Sequence, residues 1–289
     1  MNHLRKTKVF SLGDKHYIKQ AYRFILRRSP DEGGLNHFLK ELGKGRISRE
    51  QLLGQLASSR EFTETVQFPN LGTALHFSRC QFVKSLPVAK QILDLGGTAS
   101  ANPDGALVTM GYPYRFDQLT IVDLPSGERH PIYAYGDAYS THHSPLGPVA
   151  YIYQSMTDLS CFQPQSFDLV FSGQSIEHVT DLDGTLVIAK VFDLLVPGGY
   201  FCLDTPNRRV TSIQGENFVD PDHKIEYTHT VLAKKLTEAG FKICEAKGLH
   251  YARECLDSGS FSEHQVARKI GSYWAIEDCY ILAYVCQKP

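Results

Sequence analysis

The sequence holds no run of ~18 apolar residues, the length a helix needs to cross a bilayer. Its first residues, Met-Asn-His-Leu-Arg-Lys-Thr-Lys, carry no apolar signal core. Both absences point to a cytoplasmic protein. No sign of charge dominates either: 30 Lys and Arg face 31 Asp and Glu, for a formal net charge of −1. Nothing in the whole-chain charge therefore draws it to nucleic acid or to an anionic membrane. The seven cysteines (Cys80, Cys161, Cys202, Cys244, Cys255, Cys279 and Cys286) include no C-x-x-C pair and are odd in number and scattered. Several sit in apolar, strand-like runs, where cysteine behaves as a small hydrophobe. That argues for a reducing compartment and against a structural zinc site. Internal repeats and low-complexity tracts are lacking as well.

What remains is 289 residues, 42% hydrophobic and 21% charged, enough for one or two domains with a full core. The charge is uneven along the chain, since residues 1–60 hold 13 Lys and Arg against 5 Asp and Glu. Such a basic helical face reads first as solvated, with docking to a polyanionic or lipid surface as the alternative. Residues 15–65 carry apolar positions at helical spacing: Tyr17, Ile18, Ala21, Tyr22, Phe24 and Ile25, then Leu35, Phe38, Leu39 and Leu42, then Leu52, Leu53 and Leu56. Arg27 and Arg28 close the first helix, where cations suit its dipole. Ser29-Pro-Asp-Glu-Gly-Gly is a turn, and Ser48-Arg-Glu-Gln opens another helix. The stretch Val66-Gln-Phe-Pro-Asn-Leu-Gly reads as a linker, giving a helical domain over 1–68 and a second domain over 69–289.

The second domain opens with a helix over 73–86 and is organised around Ile92-Leu-Asp-Leu-Gly-Gly97, a buried strand that breaks into a tight turn. Paired glycines let backbone N–H groups approach a ligand, and a buried acid such as Asp94 needs a partner. Strand-like runs follow at Gln118–Asp123, Tyr151–Met156, Ser166–Ser172 and Leu195–Asp204, alternating with helices such as 183–195, with Leu186, Val187, Val191, Leu194 and Leu195 on its buried side. A helix over 230–239 and late strands over 241–246 and 279–286 complete the pattern of a doubly wound parallel sheet. Two long connections, 124–150 and 205–227, have the length of lids or substrate loops. The second leaves from a strand's carboxyl end, where open parallel sheets bind ligands. A G-x-G-x-x-G after the first strand is missing, which disfavours a nicotinamide dehydrogenase.

Leu93-Asp-Leu-Gly-Gly97, Asp123, Asp158, Ser166-Phe-Asp-Leu-Val, Ile176-Glu-His-Val and Val196-Pro-Gly-Gly, in that order, resemble the class I S-adenosylmethionine-dependent methyltransferases over about residues 70–289. The resemblance implies a Rossmann-like, seven-stranded, mostly parallel sheet with its last strand antiparallel. It departs from the family's D-x-G-x-G-x-G at Thr98 and Ser100, with Gly97 offering a turn displaced by one residue. Tyr22-Arg-x-x-Leu-x-Arg28-x-Pro-Asp-x-x-Gly34 and Ser59-x-Glu-Phe62 resemble the helical domain of unknown function 4214, which accompanies bacterial glycan-building enzymes and surface proteins.

The first resemblance implies S-adenosylmethionine as cofactor, whose sulfonium already activates the methyl for in-line displacement. It implies a cofactor site of Asp94, Gly96, Gly97, Asp123, Leu124, Thr157, Asp158, Leu159 and Gln174, with Asp123 holding the ribose hydroxyls and Asp158 the adenine amine. His178 is the candidate base and His223 the second, with Asp204 as a third catalytic residue. Tyr133, Tyr135 and Tyr227 could stack on or bind a sugar, and Arg208 an anionic group. Glu177, His178, Asp204, Asp222 and His223 could converge on Mg²⁺, an arrangement some sugar methyltransferases of this superfamily resemble. The leading expectation is an O-methyltransferase acting on a sugar hydroxyl in polysaccharide or glycolipid synthesis. The alternatives are a small-metabolite or quinone C- or N-methyltransferase, and a non-catalytic module docking to a glycan-assembly partner. A homo-oligomer is left open.

Overall fold

The computed structural model describes residues 13–26, 28–62, 70–99, 102–133, 137, 139–215 and 217–289. Arg27, Ser100, Tyr135 and most of the expected linker, with its 68/69 boundary, lie outside the described residues. The chain divides into two compact units, Met1–Ala74 and Leu75–Pro289.

Among its described residues the first unit has three helices ahead of its C-terminal boundary, α1 (Asp14–Ile25), α2 (Glu32–Gly43) and α3 (Arg49–Ala57). Asp31 caps α2 by accepting from the Gly34 N–H at 2.7 Å, and Ser48 with Gln51 forms a reciprocal capping box on α3. Their apolar stripes meet in one core of Ile18, Tyr22, Phe38, Leu52 and Leu56. Arg28 lies over the Tyr22 ring at 5.2 Å and donates from Nη2 to Glu61 at 2.7 Å. The motif residues Tyr22, Arg28, Asp31, Gly34 and Glu61 thus hold the helices together, and each has a packing role.

The boundary between the units falls within α4 (Leu71–Lys84), and the second unit runs on through β1 (Gln91–Leu95), α5 (Gly105–Thr109), β2 (Gln118–Asp123), β3 (Thr141–His143), β4 (Pro148–Tyr153) and β5 (Phe167–Gly173). It continues with α6 (Asp181–Leu194), β6 (Leu195–Pro206), α7 (Arg208–Thr211), α8 (His229–Glu238), β7 (Lys242–Tyr251), α9 (Arg253–Ser258), α10 (Glu263–Ala267), β8 (Ser272–Tyr273) and β9 (Cys279–Gln287). Among the described residues nine strands form one sheet in the order β3-β4-β2-β1-β5-β6-β9-β7-β8. The five strands from β4 to β6 pair in parallel, and β9 runs antiparallel to both its neighbours.

Two strands exceed the expected seven. The long connection after β2 folds back so that β3 pairs antiparallel with β4, and β8 pairs with the far end of β7, which itself runs five residues beyond the expected Ala246. Both additions are short and sit at the sheet's edges, where they occupy unpaired backbone groups. Central strand β1 is buried from Ile92 to Leu95, as a parallel strand covered on both faces must be. Helix α6 starts at Asp181, capped by the Thr180 hydroxyl, and buries Gly184, Val187, Ile188, Val191 and Leu194. Leu186, expected on that buried side, is 58% exposed; the buried stripe follows 184, 187, 188, 191 and 194 at helical spacing, and Leu186 falls off it.

Candidate active site

The ends of β1, β2 and β5 meet around a cavity of about 250 Å³. One wall is the turn after β1. Gly96 has φ +77°, a conformation that favours glycine, and its N–H donates to Val122 O at 2.7 Å. A Cβ at Gly96 would come within 2.7 Å of the Ser175 Cβ, so the turn packs directly on the β5 exit. Asp123, at the end of β2, accepts from Thr98 N–H at 3.1 Å and Leu124 N–H at 2.8 Å. Thr98, where the family pattern has a second glycine, therefore serves through its backbone.

Asp94 lies behind this wall rather than in it. It is buried against Gly97, and its Oδ2 has no hydrogen-bond partner. Burial pushes its carboxyl up to about 7.

The opposite wall comes from Gln174, Ser175, His178 and Val179. Gln174 donates from Nε2 to Asp204 Oδ1 at 2.8 Å, and Arg79 of α4 donates to the same oxygen at 2.6 Å. Asp204 is fully buried and engaged in that pair, outside the cavity lining. Tyr133 lines the cavity, donates its hydroxyl to Asp220, and meets the His178 ring edge-on at 5.7 Å. Asp222 accepts from His178 Nδ1 at 3.0 Å. Desolvation, with His223 beside it, lowers the His178 pKa, which keeps its ring neutral.

His223 lies behind His178, with ring centroids 5.0 Å apart, and its Nδ1 bonds Glu226 at 2.8 Å. Desolvation opposes its charged form, but Glu226 and Glu177 outweigh that and raise its pKa. Glu177 is fully buried and accepts from the Thr205 hydroxyl at 2.9 Å. Its burial pushes the carboxyl up to about 7.

Of the residues the sequence nominated, Gly96, Asp123, Leu124, Gln174, Tyr133 and His178 border the one cavity. Gly97 is buried in the turn beside it. Thr157 and Asp158 are exposed, and Asp158 accepts from the Ser160 hydroxyl at 2.6 Å, which holds its carboxyl below the usual range. Ser155 and Met156 line the cavity from that segment instead, while Leu159 is core. Tyr227 is buried in the same core, and Arg208 lies over the Phe218 ring at 5.0 Å in a separate hollow with Asn217 and Pro221. Seven lining residues went unnominated: Val122, Arg129, His130, Ser155, Met156, Ser175 and Val179. Arg129 and His130 follow Asp123 by six and seven positions, and Arg129 stands 3.6 Å from Asp123 and 3.4 Å from Asp137. The signal for Arg129 was its place in a long connection leaving a strand that ends in an acid.

A parallel sheet in this order, with an acid ending β2 and the cavity at its carboxyl edge, defines a Rossmann-like methyltransferase fold. The comparisons agree. The Methyltransferase domain family matches residues 132–203, and the Domain of unknown function (DUF4214) matches residues 5–66. A "Probable S-adenosylmethionine-dependent methyltransferase" of Mycolicibacterium smegmatis is 31% identical over 110 residues, 36% of this chain and 42% of the relative. The match thus spans less than half of that relative's length. Among solved structures, an S-adenosylmethionine-dependent methyltransferase of Thermotoga maritima, described as a possible histamine N-methyltransferase, superposes with TM-score 0.51 at 14% identity, over 76% of this chain and 91% of its own. A chain from the complex of the Haloferax volcanii Trm112 methyltransferase activator with a methyltransferase gives 0.51 at 18%, over 74% and 89%. These two share the fold. The chain thus carries a stretch similar to S-adenosylmethionine-dependent methyltransferases, preceded by one that matches DUF4214.

Proposed function

We propose that the protein transfers a methyl group from S-adenosylmethionine to a hydroxyl of a sugar acceptor in glycan biosynthesis. The observation that carries this reading is the single cavity joining the Gly96–Asp123 wall to His178 and its partner Asp222. The chain's residues fit the cofactor. Each Asp123 oxygen has accepted one backbone N–H and keeps lone-pair capacity for a ribose hydroxyl. Asp123 and Asp222 border the cavity, and carboxylates suit a sulfonium's positive charge. When bound, the cofactor supplies an activated methyl, and the protein's part is to aim the acceptor and assist loss of its proton.

A carboxylate only accepts hydrogen bonds, so Asp222 fixes the proton of His178 on Nδ1 and leaves the Nε2 lone pair to serve the hydroxyl. The sugar acceptor rests on the glycan company kept by the helical domain and on the polar, aromatic wall of Tyr133, His130 and Asp222. Cysteines without a disulfide suit a reducing cytoplasm, and no helix among the described residues is long and apolar enough to cross a membrane.

The test is transfer of labelled methyl to a panel of saccharides, quinones and amines by wild type and His178→Ala. Saccharide labelling is expected, with the variant slowed ~10²-fold or more at unchanged affinity for S-adenosylhomocysteine. Labelling of amines or quinones alone, or full turnover by the variant, overturns the reading.

A further inference from the structure

We infer that Glu177, His178 and His223 form a binding site for one divalent transition-metal ion, of the Mn²⁺, Co²⁺ or Zn²⁺ kind. One ligand atom from each of the three lies within 4.8 Å of the others, near enough for small side-chain rotations to bring all three to about 2 Å from one ion. Four further observations support it.

Glu177 is fully buried, and while its Oε2 takes the Thr205 hydroxyl, its Oε1 has no hydrogen-bond partner. A buried carboxylate oxygen left without a partner is costly, and a cation would satisfy it. Each histidine has a carboxylate on Nδ1: Asp222 on His178 at 3.0 Å and Glu226 on His223 at 2.8 Å. Carboxylates behind both rings fix the Nδ1–H tautomer and leave Nε2 as the donor, the arrangement that orients metal-binding imidazoles. Glu226 is itself held by the Thr211 hydroxyl. The backbone ties the two source segments together, because Lys224 and Ile225 donate their N–H groups to Glu177 O at 2.8 and 3.2 Å.

Two imidazoles and one carboxylate suit a transition ion, whereas Mg²⁺ prefers a shell of carboxylates and waters. The acids expected to make an oxygen-rich Mg²⁺ cage are engaged elsewhere, Asp204 with Arg79 and Asp222 behind His178. Three protein ligands leave coordination positions open, and His178 lines the cavity, so the site faces the space assigned to the acceptor. There, with the His178 Nε2 lone pair on the ion, the divalent charge would acidify a nearby hydroxyl and so replace His178 as the direct base. That use rests on the proposed methyl transfer; the binding itself does not.

The test takes the full chain, freed of metal with a chelator, and titrates it calorimetrically with Mn²⁺, Co²⁺, Zn²⁺ and Mg²⁺. Saturable one-to-one binding of a transition ion is expected, at least ~10-fold tighter than Mg²⁺, with Co²⁺ developing visible absorption. Glu177→Gln and His223→Ala should each weaken it by ~100-fold or more, and Glu226→Gln by ~10–100-fold. The near-isosteric glutamine variants guard against misfolding, and the Co²⁺ spectrum reads the wild type alone. No saturable binding, binding unchanged in Glu177→Gln, or preference for Mg²⁺ overturns the site. Full methyl transfer by metal-free protein removes the ion's role and leaves the proposed function standing. Metal binding without methylation of any hydroxyl does the reverse.

Discussion

Gly97→Ala isolates the packing of the turn on which the cofactor wall depends. The backbone at Gly97 is not in the left-handed region, so alanine adds no conformational strain there. The added methyl instead collides with the Asp94 carboxylate, falling no more than 2.8 Å from any of its three outer atoms. Asp94 is 1% exposed, so it has no free volume to retreat into. The turn is held as well, since Gly97 O accepts from Ala106 N–H of α5 at 2.7 Å. Overpacking of this kind costs about 1–3 kcal/mol. In a domain of this size, about 2 kcal/mol corresponds to ~4–8 °C in Tm. A turn displaced by ~1 Å also carries Gly96 and the Thr98 N–H with it, and misplacement on that scale costs up to ~10²-fold in function. The assay is a double-mutant cycle by calorimetry, with wild type, Gly97→Ala, Asp94→Ala and the double variant, alongside titration with S-adenosylhomocysteine. Removing the carboxylate should absorb the methyl, so the double variant is no less stable than Asp94→Ala alone, a coupling of about 2 kcal/mol. Equal cost of Gly97→Ala in both backgrounds would refute the assigned contact.

Two further outcomes follow from buried charge. Asp94, near 4 in the unfolded chain, is pushed up to about 7 in the fold, so between those values the folded state keeps a proton that the unfolded state releases. Stability from this group is complete below pH 4 and is lost as pH rises through 7, by at most about 4 kcal/mol. Asp94→Asn should therefore raise Tm more at pH 8 than at pH 5; a variant less stable than wild type at pH 8 sinks this. Arg79→Ala strands Asp204, which is fully buried, and should cost about 3–5 kcal/mol in chemical denaturation, with Asp204→Asn restoring part of it; additive losses would show that the pair is not coupled.

The strand order was legible because each central strand writes its own ending. Ile92 to Leu95 and Leu119 to Asp123 are apolar runs stopped by glycines or an acid, and burial on both faces of a parallel sheet demands such runs. The edge strands β3 and β8 span three and two residues, too short for any periodicity, and exist only because longer partners offer free backbone. Asp158 marks another limit. Its place after β4 suggested an adenine contact, yet the Ser160 hydroxyl two positions on holds the carboxylate. Short side chains bonding their own loop compete with any ligand, and sequence order does not say which wins.

The site's chemistry was legible residue by residue but not in its partnerships, and the pairing register explains why. Leu95 pairs with Ser172 and Gly173 with Asp204, so the exits of β1, β5 and β6 stand side by side although more than a hundred residues separate the first from the last. That adjacency sets Gln174 against Asp204 and Glu177 against Thr205. The long connection after β6 then returns across the same edge, where Lys224 and Ile225 bond Glu177 O and bring Asp222 and His223 to the two faces of one small cluster. His178 thus takes its role from Asp222, 44 positions away, and Glu177, which the sequence offered only as one of five candidate Mg²⁺ ligands, becomes a buried carboxylate with a free oxygen. Because parallel strands all end at one edge, the loops leaving them must share it, and polar residues clustered there acquire partners from every crossover.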